Sequence, residues 1–229
     1  MQVVIVSSPG RGSQPHWSHE RAAALARLAA ADGWGVRWLA AVHRDDPPPA
    51  TADNGVQVLT FRERARLPLS RVARSQVDAP LELAVTESLR AQPRSAVVHI
   101  GLGGEGTPNV LWLADRLGSP TIACLRSAEL VCHRGDLLDR DKRVCEVWDD
   151  AERCRWCVSG SWWSRPRAHD LRNRIDLMVA SLHTCAAVAV PEERDVQRVR
   201  DLGVAAAKLR VGDAPEDLLG LVSGTIGRG

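Results

Sequence analysis

Apolar residues along this chain follow two alternating rhythms. Runs of β-branched residues or alanine at 2–7, 35–41, 56–61, 96–100, 120–125, 186–190 and 208–211 predict buried strands, because strands covered on both faces read as near-continuous apolar stretches. Between them, apolar residues recur three or four apart, as one helix face requires. Leu25, Ala26, Leu28 and Ala29 line a helix that Ser18 can cap and Gly33 ends. Leu81, Val85 and Leu89 line a second, capped by Asp78 and running to Ala91; Thr107 and Pro108 open a third that stops at Gly118. Leu171, Ile175 and Met178 form the inner stripe of a helix over 165–180, and Pro191 opens another that Gly203 closes. Pro68 interrupts the stretch 62–76, which predicts an irregular, partly helical crossover.

Strands alternating with helices predict an α/β protein, a single doubly wound, mostly parallel, Rossmann-like sheet. The expected domain spans 1–211, with a cysteine-rich loop inserted at 126–160 and a glycine-rich tail with a small apolar patch at 212–229.

Such sheets bind ligands beyond the carboxyl ends of their strands, where the strand order reverses. Three loops converge on that edge. Gly10, Arg11 and Gly12 follow the first strand; their amides offer a cradle for a phosphate or sugar hydroxyl, or else make a plain strand-to-helix turn. His99, near the end of the fourth strand, is expected to point into the cleft and touch ligand, or to be a satisfied structural histidine; Gly101, Gly103 and Gly104 follow it. Arg126 and Glu129 stand at the exit of the fifth strand, either holding an anionic acceptor or pairing with each other.

The insertion has the spacing C-x12-C-x8-C-x2-C, from Cys132, Cys145, Cys154 and Cys157. Four thiolates of this kind suit a structural zinc, with His133 as a substitute ligand; unligated thiols or two disulfides are the alternatives. Cys124 and Cys185 read as small buried hydrophobes. Trp162, Trp163, Arg165 and Arg167 either pack beneath the loop or meet a membrane surface bearing a lipid-linked acceptor.

Charge narrows the partners. Thirty basic and 28 acidic residues leave a formal net charge of +2, too balanced to suggest nucleic acid. No apolar run approaches the roughly 20 residues of a transmembrane helix, and the N-terminus lacks the basic region of a signal peptide. A cytoplasmic protein, or one peripheral to the inner membrane surface, is expected. In that reducing setting clustered cysteines favour metal over disulfide.

The sequence order VVIVSSPG, HERAAALARLAAADGWGVRWLA, VVHIGLGG and CHRGDLLDRDKRVCE with a later CRWC resembles, over nearly the whole chain, the N-terminal domain of glycosyltransferase family 4. The resemblance implies one half of a GT-B enzyme, the half that holds the acceptor, while a second domain grips the nucleotide sugar. It further implies hexosyl transfer to a glycan or glycoconjugate with a separate donor-binding subunit, a nucleotide sugar entering only through that partner. A piece of a longer enzyme and a non-catalytic glycan- or protein-binding descendant are the alternatives. The family's usual His-Asp pair after the fifth strand is replaced here by Arg126-Ser127.

Overall fold

The computed structural model describes residues 1–8, 17–42, 55–62, 78–102, 107–133, 137–146, 150–158 and 168–226. Seven strands form one sheet: β1 (Gln2–Ser7), β2 (Gly35–Val42), β3 (Val56–Arg62), β4 (Ser95–Ile100), β5 (Thr121–Cys124), β6 (Ala187–Val190) and β7 (Leu209–Val211). Their order is β3-β2-β1-β4-β5-β6-β7, and every pairing is parallel. The order reverses between β1 and β4, so the crevice beyond Ser7 and Ile100 is the switch point where ligands enter such folds.

The described helices are α1 (Trp17–Ala31), α2 (Ala79–Ala91), α3 (Asn109–Arg116), α4 (Ser127–Val131), α5 (Ala151–Val158), α6 (Ala168–Leu182), α7 (Glu193–Asp201) and α8 (Pro215–Ile226). Right-handed crossovers that run in opposite directions from the centre of a sheet put their helices on opposite faces. Accordingly α1 and α8 cover one face, against Val3, Ile5, Val98 and Ile122. On the other face α2 and α3 pack on Val4, Val6 and Val97, and α6 and α7 pack on Leu125, Val188 and Val190.

Local chemistry sets several boundaries. Asp78 Oδ1 accepts from the Leu81 amide at 3.2 Å, and Leu81, Val85 and Leu89 are buried as their spacing requires. Thr107 Oγ1 accepts from the Asn109 amide at 3.2 Å, so α3 begins one residue past the expected cap pair; Gly118, at φ 72°, ends it.

Three details depart from expectation. The glycine-rich stretch after 211 carries a helix, α8, which buries Leu218, Leu219 and Val222 in the core beside α1. Ser18 does not cap α1: its hydroxyl donates to the Ser8 carbonyl, and the helix already includes Trp17. On α6 the inward position between Leu171 and Met178 is Arg174, 5% exposed, and Ile175 is only partly buried. The 62–76 crossover falls, apart from Arg62, outside the described residues.

Candidate functional site

The switch point is closed by backbone and hydroxyl contacts. The Ser8 amide donates to the Ile100 carbonyl at 3.2 Å, extending the β1–β4 ladder by one rung. The Ser8 hydroxyl donates to the Gly101 carbonyl. Gly101 holds φ at 79°, and a Cβ there would lie 3.2 Å from both Ser18 Cβ and the Ser8 carbonyl oxygen. Gly101→Ala should therefore cost about 2 kcal/mol, from left-handed backbone strain plus crowding. A lower denaturant midpoint at unchanged slope would register it.

Next to this point, the exit of β5 assembles a buried carboxylate. Glu129, in the only full turn of α4, is 2% exposed. Its Oε1 accepts from Trp17 Nε1 at 2.9 Å, and its Oε2 faces the Arg126 amide at 3.4 Å. Burial raises its pKa from 4.5 to about 7, against the lowering effects of the Trp17 indole, the Arg126 amide and charge, and the Leu102 backbone. Desolvation wins because three donors do not replace the water a carboxylate loses. The Arg126 guanidinium, partly exposed, lies 4.7 Å from the centroid of the Trp17 ring, a cation–π contact. Arg126 and Glu129 thus come together, as their position at the strand exit implied, with Trp17 as the hinge between them.

Two further contacts fix α4. Arg174, buried on α6, donates through Nη2 to the Glu129 carbonyl at 2.9 Å and through Nη1 to the Leu130 carbonyl at 3.3 Å. Ser127 is fully buried; its hydroxyl donates to Asp195 Oδ1 on α7 and accepts from Arg198 Nη1 at 3.2 Å. One turn further along α1, Arg21 Nη2 reaches both carboxylate oxygens of Asp213 at 3.1 and 3.2 Å. Charges from Asp213, Glu129, Arg21 and Arg126 all act on the buried Cys124 thiol, whose pKa is raised chiefly by its burial.

His99 is not aimed at this cleft. Its register partner is Val6 and it alternates with Val98, so it lies on the Val6 and Val97 face covered by α2 and α3, with no exposed surface. Neither ring nitrogen meets hydrogen-bond geometry with a described residue, although the Thr107 backbone lies near enough to offset part of the burial effect. Burial prevails and lowers its pKa from 6.5 to about 4. Gly10, Arg11, Gly12, Gly103 and Gly104 lie outside the described residues, as do Trp162, Trp163, Arg165 and Arg167.

The insertion contains α5 and a narrow turn closed by an antiparallel bridge between Leu138 and Val144. Asp139 Oδ1 accepts from the Asp141 and Arg143 amides, both at 2.9 Å, and so stabilises the turn. Cys132, Cys145, Cys154 and Cys157 are half-buried and form no disulfide with a described residue. Burial, then charges on Cys132, Cys145, Cys157 and Asp150, push the Cys154 thiol up to about 12. Among the described residues, no group of three or more His, Cys, Asp and Glu side chains is already arranged to hold a metal ion. Cys124 and Cys185 are buried, as expected, and burial pushes the Cys185 thiol up to about 11. No described helix is long and apolar enough to cross a membrane.

Trp17, Arg174 and Asp195 escaped sequence reasoning. Trp17 and Glu129 are 112 residues apart, and nothing local links them. Arg174 did leave a signal: it falls three residues after Leu171 and four before Met178, on the apolar stripe itself.

No protein-family model matches the sequence, and no curated protein matches it. Solved structures do. Anabaena Alr3699/HepE in complex with UDP is 11% identical, with a TM-score of 0.47 over 92% of this chain and 43% of that one. Glycyrrhiza uralensis UGT73P12, complexed with glycyrrhetinic acid 3-O-monoglucuronide, is 11% identical, with a TM-score of 0.47 over 92% of this chain and 48% of that one. The lipopolysaccharide outer core galactosyltransferase WaaB in its apo form is 8% identical, with a TM-score of 0.43 over 92% of this chain and 45% of that one. The chain spans less than half the length of each of these three.

Proposed function

We propose that this chain is the acceptor-holding half of a GT-B-type glycosyl-transfer system of the family 4 kind, working with a separate donor-binding subunit on a glycan or lipid-linked acceptor. The sequence resemblance quoted above supports the family. The observation that carries the assignment of the site is the Trp17–Arg126–Glu129 arrangement at the exit of β5, beside the switch point. A buried carboxyl group whose pKa is raised towards neutrality, held beside a cation at the ligand edge of a doubly wound sheet, is a candidate functional site on physical grounds. Arg126, stacked on an indole and partly exposed, offers the cation for an anionic acceptor group such as a lipid-linked phosphate. Glu129 holds both Trp17 and the Arg126 backbone in place, and so positions that cation.

In this reading the nucleotide sugar belongs to the partner. The isolated chain should show no stoichiometric nucleotide-sugar binding by calorimetry. Mixed with its donor-binding subunit, it should transfer a hexose from a nucleotide sugar to acceptor, detected by product mass. Arg126→Ala should lower kcat/KM about tenfold or more, the loss of one charge-assisted contact of 1.5–3 kcal/mol. Absence of any transferred sugar, with both components folded, would overturn the reading.

One observation favours a second reading, a non-catalytic glycan- or protein-binding descendant. Ser127, which stands in the family's His-Asp position, is fully buried and its hydroxyl is engaged by Asp195 and Arg198. It serves packing between α4 and α7 and is itself withheld from a reacting sugar. Acceptor binding that depends on Arg126 without transfer in the mixture would select this second reading.

A further inference from the structure

We infer that the site at the exit of β5 takes up its anion together with a proton on the Glu129 side chain, an inference that rests on reading Arg126 as the cation for the acceptor. The carboxyl group is 2% exposed and meets one good donor, Trp17 Nε1 at 2.9 Å, and one distant one, the Arg126 amide at 3.4 Å. Among the described residues no Arg, Lys or His side chain forms an ion pair with it. The Arg126 guanidinium instead lies 4.7 Å from the centroid of the Trp17 ring, on the indole whose N–H Glu129 holds. One partly exposed cation is therefore felt by two anions, the buried carboxylate beside it and any anion arriving from the crevice.

A bound anion cancels the attraction of Arg126 for the Glu129 carboxylate and adds a repulsion of its own, and both effects favour the protonated carboxyl. By linkage, protonation of Glu129 favours the anion to the same degree. The site survives protonation, since the neutral carboxyl keeps a carbonyl oxygen that accepts from the indole. Burial with so few donors already pushes the group up to about 7, so a modest change in the field around it moves a proton. Neighbouring groups are poor competitors for that proton. Arg126 on the same turn, Arg21 on α1, Arg198 on α7 and Arg174 on α6, which holds the Glu129 and Leu130 carbonyls, stay charged throughout. Asp213 and Asp195 are tied to Arg21 and Arg198 at 3.1 and 3.8 Å. Burial keeps the Cys124 thiol on β5 protonated, and His133 lies beyond the end of α4.

The test uses the full chain and inorganic sulfate, whose charge is constant between pH 6 and pH 8.5, at fixed ionic strength. The Trp17 indole N–H, identified in NMR spectra by its loss in Trp17→Phe, reports the state of Glu129 because it donates to Oε1. Without sulfate its resonance should follow pH with a midpoint of about 7; saturating sulfate should raise that midpoint to about 8, a tenfold change in proton affinity. Correspondingly, sulfate should bind about fivefold to tenfold more tightly at pH 6 than at pH 8.5. Glu129→Gln should keep sulfate binding and lose its pH dependence, while Arg126→Ala should lose the effect of sulfate on the midpoint. Should Glu129→Gln fold poorly, the paired indole titrations of the parent chain decide. Sulfate that binds the parent equally at both pH values overturns the coupling and leaves the Arg126 reading standing, whereas sulfate that does not bind overturns both. A pH dependence that survives in Glu129→Gln overturns the coupling equally, because the proton then belongs to another group.

Discussion

Replacing Glu129 by Gln should make the chain more stable at pH 8 than at pH 4, relative to the parent, by about 3 kcal/mol. The pKa of Glu129 is raised by burial from 4.5 to about 7. Below pH 4.5 the carboxyl is neutral in both folded and unfolded chains and carries no penalty. As pH rises through 7 the folded chain must hold a buried charge that the unfolded chain hydrates freely, and stability falls. A displacement of about 2.5 units corresponds to roughly 3 kcal/mol. The relevant measurement is the difference between the two pH values, because a glutamine amide also points a donor towards the Arg126 backbone, a pH-independent cost. His99 acts with the opposite sign. Its pKa is lowered by burial from 6.5 to about 4, so its neutral form is favoured in the folded chain and stability falls as pH drops from 6.5 towards 4, by a similar amount. The two slopes oppose each other between pH 4.5 and 6.5. Urea titrations should therefore show Glu129→Gln with stability rising over that interval and His99→Leu with stability falling over it. Equal slopes in parent and both variants would show that neither group is displaced.

That opposition connects the site to the scaffold. Glu129 faces the crevice edge and is held by donors from α1 and its own turn, whereas His99 sits across the sheet beneath α2 and α3. Sequence alone grouped the two, because each stands near the carboxyl end of an apolar strand run. Strand alternation separates them: side chains at successive positions leave opposite faces, and the face is fixed only when register with β1 is known. The parallel sheet was legible because VVIV, AVVHI and AVAV have no polar alternation to offer a wet face. The position of Arg126 and Glu129 was legible for the same reason, since the end of an apolar run marks the strand's carboxyl edge. The partner of Glu129 was not, because a tryptophan at the start of α1 carries no mark of where its indole donates. The α8 segment misled because Gly220 and Gly224 lower helix propensity, yet Leu218, Leu219 and Val222 are spaced to enter the core and tertiary burial outweighs propensity.

Arg174→Ala should cost about 3–5 kcal/mol, the largest loss expected of any single substitution around the site. α4 is only five residues long, too short to be stable by its own hydrogen bonds. Its last carbonyls have no next turn to bind, and they bear the partial negative charge of a helix end. Arg174 answers both needs from a neighbouring helix, with two charge-assisted bonds to the Glu129 and Leu130 carbonyls. Truncation leaves those buried acceptors unpaired and opens a cavity where the stem packed. Arg174→Met separates the two contributions, because it keeps most of the stem and removes the charge; it should recover the packing part and still lose about 2 kcal/mol. Arg174→Lys should fall short of the parent too, since one ammonium on a flexible stem does not reproduce the planar fork that reaches two carbonyls. The distinguishing readout is local. Hydrogen exchange at the Cys132 amide, which donates to the Ala128 carbonyl at 2.9 Å, should accelerate in all three variants, because that bond closes the turn Arg174 supports. An Arg174→Ala chain with parent stability and an unchanged Cys132 exchange rate would mean that α4, and with it the Glu129 carboxyl, is held from elsewhere.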